Sequence, residues 1–135
     1  KQTKETTDSL GKALELNPNN STALCLLGGI LNEQNNPECV TYYEKSLEKN
    51  ENCYLAYRGL GNFYLKNQQF EKSEKNYTRA IEINDNRFGP IYKNRGYVRQ
   101  QQNKMEQAKE DFQNYIKFTP NAKDRGMIER ALNEM

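Results

Sequence analysis

Apolar residues recur every three or four positions along most of the chain, which is the spacing that places them on one face of an α-helix. The periodic stretches are separated by short polar segments rich in Asn, Gln and Pro. No segment alternates apolar and polar residues as a half-buried strand would, so the pattern predicts an all-α protein. The predicted helices cover residues 2–16, 21–34, 37–49, 54–67, 70–83, 89–102, 105–118 and 122–134.

Several residues between these segments are typical of helix starts. Asn36 and Pro37 fit an N-cap followed by a first helical position, and Ser21 or Thr22 can cap the second helix. Gly126 interrupts the last predicted helix, which still presents one apolar face.

The chain contains an internal repeat. Glycines followed by apolar or aromatic residues stand 33 and 35 positions apart, at Gly28, Gly61 and Gly96. A second series of large residues advances in steps of 33, 34 and 35 positions, through Leu10, Tyr43, Tyr77 and Phe112. A period of this length indicates stacked helical hairpins, each of which buries its apolar face against its neighbours.

The residues around these markers resemble the tetratricopeptide repeat family. Its pattern is Leu-Gly followed by an aromatic residue in a first helix, then Ala-x3-aromatic and a closing Pro in a second. Residues 54–87 match best, with Tyr57, Leu60, Gly61, Tyr64, Tyr77 and Ala80 in register. The resemblance implies a right-handed superhelical array of antiparallel helix pairs, an α-solenoid.

This resemblance divides the chain into parts of a single array, residues 1–135. Residues 1–20 are the second helix of a partial repeat, and residues 123–135 are a terminal capping helix. The full repeats are residues 21–53, 54–87 and 88–122.

The last full repeat departs from the family pattern. Arg95 and Arg99 stand where Leu and an aromatic residue are usual, and Tyr115 stands where a small residue is usual. We therefore expect less regular packing there. Glu51 and Asp85 occupy positions where Pro closes a repeat.

Composition agrees with a thin array. Hydrophobic residues make up 35% of the 135 residues, which suits helices that share a core only with near neighbours. The net charge is +2 but unevenly distributed. Residues 21–53 carry two basic against five acidic residues, and residues 88–122 carry six basic against three acidic.

The sequence lacks the residues of a catalytic or metal site. It has no His, the commonest general base and metal ligand. Its cysteines, Cys25, Cys39 and Cys53, form no CxxC pair. No phosphate-binding loop or apolar run of membrane-spanning length occurs. We therefore expect no enzyme activity, cofactor, metal or membrane partner, and an intracellular, cytoplasmic location, because free thiols suit a reducing compartment.

The family resemblance implies that the first helix of each pair lines a concave groove. Projection of the helical period places Cys25, Gly29 and Asn32 there from the first full repeat. The predicted partner-binding residues come from the next two repeats: Arg58, Asn62, Lys66, Lys93, Asn94, Tyr97 and Gln101. Cations and amides on one surface favour an extended acidic peptide or a helix.

The sequence thus predicts a protein–protein interaction scaffold or adaptor, as one segment of a longer chain or a complex. One alternative is a co-chaperone domain that clamps acidic chaperone tails. Arg58, Asn62 and Asn94 resemble part of that clamp, but Asp124 and Ile128 stand where two cations are needed.

A second alternative is a nucleic-acid-associated subunit. It would use the basic last repeat, where Arg95, Arg99 and Tyr97 could contact phosphate and bases, although nucleic acid is the less favoured partner because no continuous basic stripe occurs. The convex face and the ends of the array are also open as contact surfaces.

Overall fold

The computed structural model describes residues 2–84 and 89–135, with side chains from residue 4 onward. This part of the chain forms helices and no strand. The helices are α1 (Gln2–Leu16), α2 (Ser21–Glu33), α3 (Cys39–Lys49), α4 (Tyr54–Lys66), α5 (Phe70–Asn84), α6 (Gly89–Gln101), α7 (Met105–Phe118) and α8 (Arg125–Glu134). Asp85 and the predicted boundary between residues 87 and 88 lie outside the described residues.

The helices stack in chain order. The most extensive contacts join α2 to α3, α4 to α5 and α6 to α7, and each pair also packs against the next through α3–α4 and α5–α6. Pairs that contact only their neighbours build a superhelix. The predicted all-α, right-handed array of antiparallel helix pairs is therefore confirmed.

Glycines let the two helices of each pair approach closely. A Cβ atom added to Gly61 would lie 2.6 Å from the Tyr77 ring, and one added to Gly28 would lie 2.9 Å from the Tyr43 ring. At Gly96 the corresponding distance, to Phe112, is 3.0 Å. The aromatic ring of each second helix thus packs on the first-helix backbone, as the spacing of the two series predicts.

Tyr43 reaches a second backbone as well. Its hydroxyl lies close to Gly59, where an added Cβ atom would collide with it. Helix α2 packs directly against α4, and this contact has no comparable counterpart between α4 and α6 in the described part of the chain.

The N-cap of α2 differs from the predicted one. The Oδ1 atom of Asn20 accepts a hydrogen bond from the backbone N–H of Ala23 at 3.0 Å, so Asn20 is the cap. The Ser21 hydroxyl instead lies 2.9 Å from that of Ser46 on α3. The predicted caps, Ser21 and Thr22, were therefore wrong by one and two positions.

Two other helices begin later than predicted. Helix α3 starts at Cys39 rather than Pro37, because Asn36 accepts a hydrogen bond from the Glu38 backbone N–H and closes a turn first. Helix α8 starts at Arg125. Gly126 therefore lies in the first turn of α8 and does not interrupt it.

Arg95 and Arg99, the departures from the repeat pattern, converge on a buried carboxylate. Asp111 on α7 is 0% exposed. It accepts hydrogen bonds from Arg95 at 2.7 and 3.0 Å and from Arg99 at 3.0 Å. Two guanidinium groups therefore compensate one carboxylate that is removed from water.

The same cluster extends to the preceding repeat. Glu74 on α5 accepts hydrogen bonds from Arg99 at 2.8 Å, Lys104 at 2.7 Å and Gln102 at 3.0 Å. Burial alone would raise the pKa of Glu74, but these three donors lower it to about 2. We call Glu74, Arg95, Arg99, Lys104 and Asp111 the ionic junction.

Helices α6 and α7 of the third repeat pack together as extensively as α4 and α5 do, with the ionic junction at the positions where the second repeat has an apolar contact. Tyr115, at the position where a small residue is usual, is buried and donates a hydrogen bond to Asp124.

Candidate functional site

We call the residues of α2, α4, α6 and α8 that line two cavities of the described chain the first-helix surface. The α2–α4 cavity has a volume of about 220 Å³ and is lined by Cys25, Leu26, Gly29, Asn32, Glu33, Tyr43, Leu55, Arg58, Gly59 and Asn62. The α6–α8 cavity has a volume of about 330 Å³ and is lined by Leu65, Lys93, Asn94, Tyr97, Gln100, Phe112, Asp124, Met127, Ile128 and Ala131.

Large apolar side chains are exposed at both cavities. Leu26 and Leu55, at the α2–α4 cavity, are 44% and 43% exposed, and Tyr97 and Met127, at the α6–α8 cavity, are 46% and 59% exposed. Among the described residues, Leu16 and Met105 are the other large hydrophobic residues with high exposure. Four of these six exposed residues therefore lie at the two cavities, although Leu16, the most exposed of them, does not.

Five of the seven predicted site residues line one of the two cavities, and the other two line neither. Arg58 and Asn62 line the α2–α4 cavity, whereas Lys93, Asn94 and Tyr97 line the α6–α8 cavity. Two predicted residues line neither cavity. Lys66 donates a hydrogen bond to the backbone carbonyl of Asn32 at 2.9 Å. Gln101 is exposed, and its neighbour Gln100 lines the α6–α8 cavity.

The α6–α8 cavity is less basic than the sequence predicts. The Lys93 ammonium group lies 2.9 Å from an Asp124 carboxylate oxygen and 5.1 Å from the centroid of the Tyr115 ring. Hydrogen bonds from Tyr115 and Lys93 lower the pKa of Asp124, so this carboxylate is ionised and compensates the lysine at neutral pH.

The α2–α4 cavity is also balanced in charge. Arg58 and Glu33, of opposite sign, both line it. The Arg58 guanidinium group lies 5.6 Å from the centroid of the Tyr54 ring. Neither half of the first-helix surface is therefore strongly basic.

Asparagine amides are held in fixed orientations at the α2–α4 cavity. Asn62 accepts a hydrogen bond from the Tyr77 hydroxyl, which leaves its NH₂ group as the donor side. Asn32 donates from Nδ2 to the Gly59 carbonyl at 3.2 Å. Its Oδ1 atom is buried and has no hydrogen-bond partner among the described residues.

The buried thiols are poor nucleophiles. Burial, together with the neighbouring Cys53 thiol, raises the pKa of Cys25 to about 12, and burial also raises that of Cys39. A thiol with so high a pKa stays protonated at neutral pH. In residues 2–84 and 89–135, no group of three His, Cys, Asp or Glu side chains is arranged to hold a metal ion.

A larger cavity lies along α5, and Tyr57 of α4 and Arg99 of α6 also line it. Its volume is about 740 Å³, and it is lined by Tyr57, Glu71, Glu74, Lys75, Asn76, Thr78, Arg79, Glu82 and Arg99. These charged side chains pair with one another, as Arg79 does with Glu82 at 3.6 Å and Arg99 with Glu74.

Residues on which the two alternative functions depend form ion pairs within the chain. Arg95 and Arg99 bind carboxylates of the ionic junction and leave Tyr97 as the exposed member of the predicted nucleic-acid surface. Asp124, where the chaperone-tail clamp needs a cation, pairs with Lys93.

Sequence reasoning missed the apolar part of the site. Leu26, Leu55 and Met127 were not among the predicted site residues. A signal existed, since Leu26 is adjacent to Cys25, Leu55 stands about one helical turn before Arg58, and Met127 is adjacent to Ile128.

In the described part of the chain, no helix has both the length and the apolar character needed to cross a membrane.

Comparison with known structures shows the fold. The chain superimposes on MamA with a TM-score of 0.78, on YrrB, a TPR protein with an unusual peptide-binding site, with 0.84, and on Pseudomonas aeruginosa pilF with 0.88. Sequence identity is 20%, 20% and 21%. These alignments cover 95%, 95% and 98% of this chain and 78%, 70% and 61% of the others.

Sequence comparison identifies the repeats. An uncharacterized protein of Haemophilus influenzae is 30% identical over 82 residues, which are 60% of this chain and 45% of that protein. The chain therefore spans less than half of this relative. Residues 54–87 and 90–121 each match a model described as tetratricopeptide repeat. The chain therefore contains tetratricopeptide repeats in these two segments, and such repeats support a protein–protein interaction module.

Proposed function

We propose that the first-helix surface binds a segment of another protein, as an extended peptide or a helix, and that the chain thereby acts as a scaffold or adaptor. One observation carries this proposal. Leu26 and Leu55 at the α2–α4 cavity, and Tyr97 and Met127 at the α6–α8 cavity, are exposed apolar side chains at concave sites. Apolar groups at such places are typical of partner-binding surfaces.

The two cavities favour a partner with apolar anchors rather than a purely acidic one. Tyr97 and Met127 offer aromatic and flexible apolar contacts, which bind a large side chain well. Lys93 is compensated by Asp124, so it adds little attraction for an acidic residue. Asn62, Asn94, Arg58 and the more distant Lys66 and Gln101 would then contribute hydrogen bonds around the apolar contacts.

A likeness to a peptide-binding relative agrees with this proposal. YrrB is named as having an unusual peptide-binding site, and its chain shares the fold of this one. At 20% identity the likeness extends to the fold alone, so the cavities of this chain have to be tested on their own residues.

The test is a selection from random peptides displayed on phage, with the natural chain as bait. Selected peptides are then synthesised and titrated against a Tyr97→Ala/Met127→Ala variant. We expect binding to weaken by about thirtyfold or more, because truncating each of two central apolar anchors costs about 1–2 kcal/mol.

The matched control is Glu71→Ala/Arg79→Ala at the α5 cavity, which removes two exposed side chains that line neither cavity of the first-helix surface. We expect this variant to bind as the natural chain does. Peptides that bind the Tyr97→Ala/Met127→Ala variant normally, and lose binding to the α5 variant, would contradict the proposal.

A further inference from the structure

Two cysteine side chains from successive repeats lie together near the starts of α2 and α4. Cys25, on α2, is 5% exposed, and Cys53 is the residue immediately before α4. Both pack in one apolar cluster with Ala56 and Leu60. The Cys53 thiol is also close enough to Cys25 to raise its pKa, through its charge and a side-chain hydrogen bond. The two thiols are therefore neighbours in space.

The first turns of α4 hold this arrangement in place. Leu55 and Arg58, which follow Cys53 along α4, line the same cavity as Cys25, so the start of α4 faces α2. Cys53 occupies the N-cap position of α4, but its side chain makes no capping hydrogen bond. Rotation of the Cys53 side chain toward Cys25 therefore breaks no cap of the helix.

The two thiols differ in accessibility and reactivity. Cys53 is half-buried, whereas Cys25 is buried and its pKa is raised to about 12, above all by burial. A dissolved oxidant therefore reaches Cys53 first. Cys25 is a poor nucleophile toward dissolved molecules, but a sulfur atom held beside it is present at a high effective concentration.

We infer that Cys25 and Cys53 form a reversible disulfide bond, which links α2 to the start of α4 when a low-molecular-weight disulfide oxidises the chain. This inference goes beyond the proposed function and does not depend on it, because it concerns a covalent state of the chain itself. A bond that such a disulfide forms and excess thiol reduces acts as a switch rather than as a permanent crosslink.

The reaction consists of two thiol–disulfide exchanges. The Cys53 thiolate attacks one sulfur atom of the small disulfide, forms a mixed disulfide and releases one small thiolate. Cys25 then loses its proton, attacks the Cys53 sulfur atom and releases the second small thiolate. The two protein thiols lose two electrons, the small disulfide gains them, and the two thiol protons pass to the released thiolates.

The bond would change the stability and rigidity of one half of the first-helix surface. It closes the loop from residue 25 to residue 53, which contains α3, and so restricts the unfolded chain. It also joins α2 and α4, the two helices on which the α2–α4 cavity lies. The oxidised chain should therefore unfold at a higher temperature and hold this cavity at a fixed width.

The test is to incubate the natural chain with oxidised glutathione and to follow its free thiols, its intact mass and the linked peptides after digestion. We expect two of the three thiols to disappear together, in a monomer that has lost two hydrogen atoms and in which Cys25 is linked to Cys53. Dithiothreitol should restore all three thiols. The thermal midpoint of the oxidised chain should rise by about 5–10 °C.

Several outcomes would overturn the inference. These are a mixed disulfide at Cys53 that persists without an internal bond, a bond that includes Cys39, a disulfide-linked dimer, or the persistence of all three thiols. An internal bond that leaves the thermal midpoint unchanged would show that it does not restrain α2 and α4. None of these measurements on the natural chain depends on the folding of a variant.

Three variants test the order of the two steps. Cys53→Ser removes the accessible thiol and keeps a residue favoured at N-caps, so its remaining thiols should persist under the same conditions. Cys25→Ala should stop at the mixed disulfide of Cys53 with glutathione. Cys39→Ala is the matched control, because Cys39 is also buried but lies outside the pair; this variant should form the internal bond as the natural chain does. Loss of thiols in Cys53→Ser at the natural rate would reject Cys53 as the site of attack.

Discussion

The second and third repeats fill equivalent positions with opposite chemistry. In the second repeat, Leu60 is buried and Tyr64 is half-buried in an apolar cluster. In the third, Arg95 and Arg99 hold those positions and bind the buried carboxylate of Asp111. The two helices of each repeat nevertheless contact each other to a similar extent.

This difference shows that a helix pair of this array needs its buried positions filled and its buried charges paired. Either apolar or ionic side chains can meet that requirement. Truncating a buried apolar side chain costs the transfer free energy of the removed atoms and the free energy of the cavity that is left. A buried ionic cluster fails as a unit, because each remaining charge is left without its partner in a medium of low polarity. The two repeats should therefore respond differently to substitution, acid and added volume.

The largest effect is expected from Asp111→Ala. It leaves the guanidinium groups of Arg95 and Arg99 without their shared carboxylate, which should lower the free energy of unfolding by about 3–5 kcal/mol. Urea denaturation measures this change. Asn76→Ala, the equivalent position in the second repeat, should change it by about 0.5 kcal/mol or less.

A triple variant separates charge compensation from simple loss of contact. Arg95→Leu/Arg99→Tyr/Asp111→Asn copies the residues of the second repeat into the third. We expect it to recover most of the stability lost in Asp111→Ala, because no buried charge of this set remains unpaired. A triple variant as unstable as Asp111→Ala would reject compensation as the cause.

The next largest effect is expected from acid. The pKa of Glu74 falls from its ordinary 4.5 to about 2 in the folded chain. A lowered folded-state pKa stabilises the protein above the unfolded-state value, and this stabilisation is lost as the pH falls from about 4.5 to 2. The shift corresponds to about 3 kcal/mol.

The measurement is the free energy of unfolding from pH 7 to pH 2 for the natural chain and for Glu74→Gln. The two curves should converge as the pH falls through this window, since the natural carboxylate becomes neutral. A constant difference between them across the window would show that the Glu74 charge does not contribute.

The smallest effect is expected from adding one methyl group to each repeat. A Cβ atom at position 61 would lie 2.6 Å from the Tyr77 ring, and one at position 96 would lie 3.0 Å from the Phe112 ring. Overpacking costs about 1–3 kcal/mol, against about 1 kcal/mol gained in helix propensity.

Gly61→Ala should therefore be less stable than Gly96→Ala by about 1 kcal/mol or more in thermal or urea denaturation. Gly11→Ala is the control, because a Cβ atom there meets nothing within 4 Å. Equal losses at positions 61 and 96 would mean that the third repeat is packed as tightly as the second.

The fold could be predicted because the repeat register combines many weak signals. Glycine spacing identified which helices pack, and the close approaches at Gly28, Gly61 and Gly96 follow from it. Helix starts were less certain, since Asn20 and Ser21 are both good caps and local sequence does not rank them.

The ionic junction could be anticipated only in part. Arg95 and Arg99 were recognisable as departures, but Glu74 lies 25 positions from Arg99, and only the packing of α5 against α6 brings them together. Asp111 looks like any surface acid beside Glu110, because burial depends on the angle at which the helices meet.

The candidate site shows the same limit. Arg58, Asn62, Lys93, Asn94 and Tyr97 were located by helical periodicity, which is a property of one helix. The pairing of Lys93 with Asp124 depends on where α8 begins, and that start is three residues later than predicted. The face of each helix on which a residue lies was thus predictable, whereas the pairing of charges between helices was not.

Tyr43 has a mechanical consequence for the array. Its ring lies on Gly28 and its hydroxyl on Gly59, so one side chain is wedged between the backbones of α2 and α4. The following repeat has Asn94 instead of glycine at the position of Gly59, and α4 and α6 have no comparable direct contact in the described residues. We expect α4 and α6 to move relative to each other more freely than α2 and α4, within the limit set by the ionic junction, which joins α5 to α6. A long partner that spans both cavities would restrict this relative motion of α4 and α6 when it binds, at a cost in conformational entropy.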